Sequence, residues 1–338
     1  MSLQDQLENT VAELTAPGKG LLAADESTTT ISKRLSAVGV ESTEENRRQY
    51  RSLILSAPDL GDCISGAILY EETLSQRDDK GTPLPEVAAS QGIVPGIKVD
   101  KGKGPMPNAP GDEITQGLDG LEQRLEQFRE QGAQFAKWRS VYHIGDLNPS
   151  PQAVEANAEV LARYAAICQS QGVVPIVEPE VLINGNHSID RCADVGEAVI
   201  RSVFNALYRH GIQLETMILK PSMITPGQDH SGHASPEQVA EFTLRTFRRS
   251  VPAAVPAIHF LSGGQTPEEA TLNLNAINQV AQPWTLGFSF GRALQEPAQK
   301  AWAGQSENWQ AAQAALLKRA KLNSLACLGS YQAAMEAG

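Results

Sequence analysis

Eight short, near-continuously apolar runs recur along the 338-residue chain, and longer charged, amphipathic stretches separate them. The runs occupy residues 20–25 (GLLAAD), 63–70 (CISGAILY), 93–99 (IVPGIKV), 135–141 (FAKWRSV), 173–181 (VVPIVEPEV), 216–224 (TMILKPSMI), 257–263 (AIHFLSG) and 285–291 (TLGFSFG). Strands buried on both faces read this way, because a parallel sheet is covered by helices on each side. The stretches between them carry helix signals. Ser42-Thr43-Glu44-Glu45 opens one that ends near Ala57-Pro58, and residues 153–170 form another that stops before Gly172. Ser235-Pro236 and Thr266-Pro267 each place an N-cap residue before a proline at the first helical position. Eight such units without a change of pattern predict an α/β fold, a closed (β/α)8 TIM barrel. Residues 307–328 add a further amphipathic C-terminal helix. The expectation is one catalytic domain over 1–338, with a helical arm at 1–15 and a helix and short tail at 306–338.

Composition narrows the partners. Lys and Arg number 28 against 39 Asp and Glu, a formal net charge of −11. Such a surface disfavours nucleic acid and anionic membranes. No run approaches the ~18 apolar residues of a membrane-spanning helix, and MSLQDQLENT has neither the basic nor the apolar region of a signal peptide. Cys63, Cys168, Cys192 and Cys327 are widely spaced, as in a reducing cytoplasmic compartment. No cofactor is expected. Gly102-x-Gly104 lies in a Pro-rich loop without a following helix start, so it is no dinucleotide cradle. No metal site is expected either. The histidines are scattered, His230-x-x-His233 sits in a Gly/Ser-rich loop, and His259 reads as a satisfied core histidine.

Charges gather at the carboxyl ends of the runs, where barrels keep their catalytic groups. Asp25 ends the first, Lys98 and Asp100 the third, and Glu178 and Glu180 the fifth. Lys137 and Arg139 interrupt the fourth, Lys220 interrupts the sixth, and Arg292 follows the eighth. Residues i and i+2 of a strand share a face, so Lys137/Arg139 and Glu178/Glu180 should each point into one cavity. Ion pairs closing the barrel mouth would account for any one of these residues. Three lysines together point to an anionic substrate, a lysine nucleophile, or both, since a cationic neighbour favours the free amine. Either Lys137 or Lys220 could be that nucleophile. Ser262-Gly263-Gly264 and Gly291-Arg292 follow the seventh and eighth runs, the usual phosphate-binding loops of such barrels.

Several motifs, spread in order over almost the whole chain, carry a resemblance. They include APGKGLLAADEST at 16–28, GIKVDKG at 96–102, FAKWR at 135–139, VPIVEPE at 174–180, LKPSM at 219–223, FLSGGQ at 260–265 and FSFGRAL at 288–294. The chain resembles class I fructose-1,6-bisphosphate aldolase, the metal-independent Schiff-base family. The resemblance implies that Lys220 attacks the ketose carbonyl, that Glu178 is the acid/base at the carbinolamine, and that Asp25 takes the C4 hydroxyl proton. It gives Lys137 and Glu180 positioning and tuning roles, and it places Lys98 and Arg139 on the sugar or its distal phosphate. Ser262, Gly263, Gly264, Ser289, Gly291 and Arg292 fall at substrate- and phosphate-binding positions, while Ser27, Lys33 and Arg34 face the other phosphate. A close Glu178/Glu180 pair would raise the acid's pKa.

The implied substrate is fructose 1,6-bisphosphate, with sedoheptulose 1,7-bisphosphate as a second candidate. The implied assembly is a homotetramer, cytoplasmic, or stromal in a plastid if a transit peptide was removed. The chain departs from the family at three places. Its last tyrosine is Tyr331, so a terminal tyrosine assisting enamine proton exchange is not expected. Thr29 stands where glycine is usual, and Phe290 where tyrosine is usual. Two rival readings are another lysine-imine barrel aldolase or transaldolase and a non-catalytic scaffold. Paired phosphate-facing groups weigh against the first, and the presence of Lys220, Glu178 and Asp25 against the second.

Overall fold

A computed structural model describes residues 2–337. Each of the eight apolar runs contains a strand: β1 (Gly20–Ala24), β2 (Ile64–Leu69), β3 (Val94–Lys98), β4 (Phe135–Tyr142), β5 (Val174–Val181), β6 (Ile218–Leu219), β7 (Ala257–Phe260) and β8 (Thr285–Phe290). Each pairs in parallel with its neighbours in sequence, and β8 returns to β1 with Leu21 opposite Ser289, closing the barrel. Helices flank it, and those at Pro236–Ser250 and Pro267–Ile277 start with the foreseen Ser235 and Thr266 caps, each completed into a capping box.

β6 is far shorter than its run. A 3-10 turn at Leu214–Thr216 precedes it, and Pro221, which has no N–H, interrupts the ladder after it. Single bonds continue the pairing: Lys220 N donates to Val177 O at 2.8 Å, and Leu261 N to Pro221 O at 3.0 Å. The loop expected around Gly102 is partly ordered as an antiparallel hairpin, Lys103–Pro105 with Glu113–Thr115.

Alternation along the strands builds two apolar layers. Leu21, Ile68, Val94, Phe135, Val174, Ile176 and Ile218 fill the barrel interior together with Leu7, Val11 and Leu14 of the helix Leu3–Leu14. That helix therefore plugs the amino-terminal end of the barrel, where Ser65 Oγ donates to Leu14 O at 2.8 Å. The outward-facing strand residues pack beneath the surrounding helices. The C-terminal helix, Trp309–Cys327, lies against the helices Pro267–Ile277 and Arg292–Trp302. It buries Gln313, Arg319 and Asn323 as well as Ala312 and Leu316, so a single apolar stripe does not describe it. Arg319 and Tyr331 both bond to Glu336 and tie down the tail, at 2.5 Å and 2.8 Å. No helix among the described residues is long and apolar enough to cross a membrane.

Among the glycines of the barrel strands, packing is tightest at Gly96 on β3, where a Cβ would stand 2.3 Å from the Phe135 ring. Gly96→Ala is expected to cost about 2 kcal/mol through overpacking, read as a lower urea midpoint at unchanged slope. An unchanged midpoint would contradict this packing.

Candidate active site

A cleft of about 510 Å³ opens at the carboxyl ends of the strands, opposite the plug. Strand alternation sends Lys137, Arg139, Glu178 and Glu180 into it, as the i, i+2 spacing predicts, while Trp138 and Val177 face the helix layer. The β4–β5 register sets Arg139 opposite Glu178 and Val141 opposite Glu180.

These charges interlock. Glu178 Oε1 lies 3.1 Å from Lys220 Nζ, and Glu178 Oε2 lies 3.2 Å from Lys137 Nζ. Lys137 also meets Asp25 Oδ2 at 2.7 Å. Arg139 donates to Glu180 at 3.0 Å, and Lys98 to Asp100 at 2.7 Å. Glu178, Lys137 and Lys220 are all more than nine-tenths buried. Burial alone would push the Asp25 carboxyl up, but Lys137, Lys220 and Lys98 pull it well below the usual carboxylate range. Burial would likewise lower Lys137, yet Asp25 and Glu178 hold it firmly as an ammonium. Glu178 thus faces two lysines, Lys137 and Lys220, while Glu180 pairs with the Arg139 guanidinium. Seven Lys or Arg and six Asp or Glu side chains line the cleft. The mouth is thus a nearly balanced ionic lattice.

The loops bring the remaining groups. Ser262 O accepts from Gln265 N at 2.9 Å in a tight turn through Gly263 and Gly264. Gly264 has a φ of +80°, and a Cβ there would meet Ile183 at 2.6 Å, so only glycine fits. Gly291 precedes the helix Arg292–Trp302, and Gly291 and Arg292 at its amino terminus line the cleft. Arg292 reaches Glu296 at 3.0 Å and donates to Gln265 O at 2.5 Å, joining the loops after β7 and β8. Ser289 lines the cleft with a buried, unpartnered hydroxyl. Across the mouth, Ser27 caps the helix Thr28–Ser36, and Ser27, Thr30 and Arg34 face inward from it. Lys33, one position from Arg34, is exposed on another side of that helix and outside the cleft. The other candidates named above all line it. Among the described residues, no group of three or more His, Cys, Asp or Glu is placed to hold a metal ion.

A family model described as fructose-bisphosphate aldolase class-I matches residues 6–338. The chain belongs to the class I fructose-bisphosphate aldolase family. A probable fructose-bisphosphate aldolase class 1 of Xanthomonas campestris is 51% identical over 97% of this chain and 99% of its own length. Fructose-bisphosphate aldolase 6, cytosolic, of Arabidopsis thaliana is 52% identical over 97% and 92%. The fructose-bisphosphate aldolase of Plasmodium falciparum, solved in complex with TRAP and a small molecule inhibitor, superposes with a TM-score of 0.96 at 46% identity, covering 98% of this chain and 96% of that one.

In this class I aldolase chain two departures from the family pattern lie away from the cleft. Phe290 packs in the outer layer against Phe288, with ring centroids 5.4 Å apart, so the hydroxyl it lacks would face the helices. Thr29 is exposed in the first turn of its helix. Sequence reasoning missed Glu26, which lines the cleft beside Asp25. It also misjudged His259. The ring is fully buried, and neither nitrogen has a hydrogen-bond partner among the described residues. Burial first, and then Lys220, lower its pKa from 6.5 to about 4.

That shift has a sign. Between pH 6.5 and 4 the unfolded chain takes up a proton that the folded imidazole refuses, so stability falls as the pH drops. The loss should reach on the order of 3 kcal/mol by pH 4. His259→Leu should flatten the urea-midpoint curve over this window relative to the parent. Parallel curves would refute the argument.

Proposed function

We propose that this chain cleaves fructose 1,6-bisphosphate reversibly to dihydroxyacetone phosphate and glyceraldehyde 3-phosphate through a Schiff base on Lys220, without a metal. The observation that carries the reading is the Glu178 carboxylate bridging Lys220 and Lys137. Lys137 has two carboxylate partners and stays an ammonium, whereas Lys220 touches Glu178 alone among the carboxylates paired here. One proton passed from Lys220 to Glu178 over 3.1 Å makes both species the first step needs, a free amine and a carboxylic acid.

The Lys220 amine adds to the C2 carbonyl. Glu178 then protonates the carbinolamine hydroxyl, which leaves as water and gives the iminium. Asp25 withdraws the O4 proton as the C3–C4 bond breaks. That electron pair flows into the iminium to form an enamine, and the aldehyde product departs. The enamine is reprotonated at C3, and hydrolysis frees dihydroxyacetone phosphate and Lys220. Lys137 stabilises oxygen charge developing between Asp25 and Glu178. Lys98 and Arg139 contact the sugar chain or its distal phosphate. The loops after β7 and β8 offer backbone N–H groups and Arg292 to one phosphate, and Ser27 and Arg34 stand across the cleft.

Borohydride reduction in the presence of fructose 1,6-bisphosphate should leave a mass adduct on the peptide containing Lys220. An unmodified Lys220 would overturn the assignment. Lys220→Ala should fold and lose on the order of 10⁴-fold in kcat, and EDTA should leave the parent's activity unchanged.

A further inference from the structure

Glu26 takes part in no step above, yet it is more than nine-tenths buried, and three elements converge on its carboxylate. Oε2 lies 2.6 Å from Arg51 Nη1, on the helix Glu44–Leu55. Oε1 accepts from Gln295 Nε2 at 2.8 Å, and Arg34 Nη1 closes on the same oxygen. Gln295 is itself fixed, donating to Ala23 O at 2.7 Å and accepting from Tyr50 Oη at 3.0 Å. Arg51 is as buried as Glu26, so the anchor is rigid on its inner side. Arg34 is the partly exposed member of the set and reaches into the cleft. Its Nη2 lies 3.7 Å from where a Cβ on Gly291 would stand, beside the loop that opens the helix Arg292–Trp302.

Charge arithmetic gives this arrangement a consequence. Glu26 alone would neutralise Arg34 and repel a phosphate behind it. Arg51 cancels the Glu26 charge from the far side, so the trio keeps one net positive charge at its cleft edge. An arginine already held by one edge of its fork also pays less ordering entropy when its other N–H groups meet an oxyanion.

We propose that Glu26 is a positioning residue: anchored by Arg51 and Gln295, it sets the Arg34 guanidinium against Gly291 so that its free N–H groups receive a substrate phosphate. The inference rests on reading the cleft as a bisphosphate site. Glu26→Gln keeps the shape and removes the charge. It should raise KM for fructose 1,6-bisphosphate about tenfold with kcat changed less than about threefold, the pattern of lost binding common to ground and transition states. E26D should recover part of the loss. Arg34→Ala should raise KM at least as much, and E26Q/R34A should be no worse than R34A alone, because both remove one interaction.

Additive losses in the double mutant, or a fall in kcat at unchanged KM, would overturn the role of Glu26. Should E26Q fail to fold in a thermal melt, the E26D/R34A cycle decides by the same criterion. Borohydride trapping of dihydroxyacetone phosphate on the parent separates the two levels. Without an adduct at Lys220 the aldolase reading itself falls, whereas with an adduct and additive losses only the inference about Glu26 does.

Discussion

Glu178 stands between two buried lysines, 3.1 Å from Lys220 Nζ and 3.2 Å from Lys137 Nζ, and Lys137 is shared between Glu178 and Asp25. Burying an ion costs several kcal/mol, and losing one partner of a buried pair typically costs 3–5 kcal/mol. The pairing is therefore a condition on the fold as well as on the chemistry. It exists because β4, β5 and β6 run in parallel, with Lys137 opposite Ile176, Arg139 opposite Glu178 and Ile176 opposite Ile218, so that inward-facing positions near the ends of three strands come within reach of one another. Asp25 joins from β1 by way of Lys137, linking the strand that opens the barrel to those on its far side. A slip of one residue in any of these strands would turn its charge toward the helix layer, where nothing could pair it.

The barrel was legible because strands covered on both faces leave a simple trace, short apolar runs at regular intervals. Where a run carried a conflicting local signal, the structure followed the signal. Pro221 cuts β6 to two residues although its run spans nine. The helices were legible from their caps at Ser235 and Thr266, but what a helix packs against is not a local property. Nothing in the spacing of Leu7, Val11 and Leu14 says that they plug a barrel, and the buried Gln313, Arg319 and Asn323 of the last helix reflect its place between two others.

The cleft shows the same division. The rule that i and i+2 share a strand face placed Lys137, Arg139, Glu178 and Glu180 correctly, since it depends on backbone geometry alone. Lys33 and Arg34 sit on a helix, where adjacent residues diverge by about 100°, and only Arg34 reaches the cleft. Glu26 escaped notice because its partners are remote in the chain, Arg51 in the next helix and Gln295 near the other end. His259 looked like a satisfied core histidine, and only packing revealed that its ring nitrogens have no hydrogen-bond partner among the described residues. Local rules place a side chain on a face, and long-range packing decides what it meets there.

The charge balance of the mouth bears on how an anionic sugar is held. A chain of net charge −11 with seven cations and six carboxylates in its cleft has no strong basic field to draw in a phosphate. In the proposed reading recognition rests on direction: the backbone N–H groups after β7 and β8, the N-terminus of the helix Arg292–Trp302, and guanidinium edges left free after their other bonds are made. Directional groups of this kind lose little to salt, since they act at contact distance, whereas a diffuse basic patch is screened beyond about 10 Å at 0.1 M ionic strength. A guanidinium engaged by a phosphate on one edge can keep its acidic partner on the other. Arg34 and Arg292 already show that geometry, one edge on Glu26 or Glu296 and the rest of the fork toward the loops.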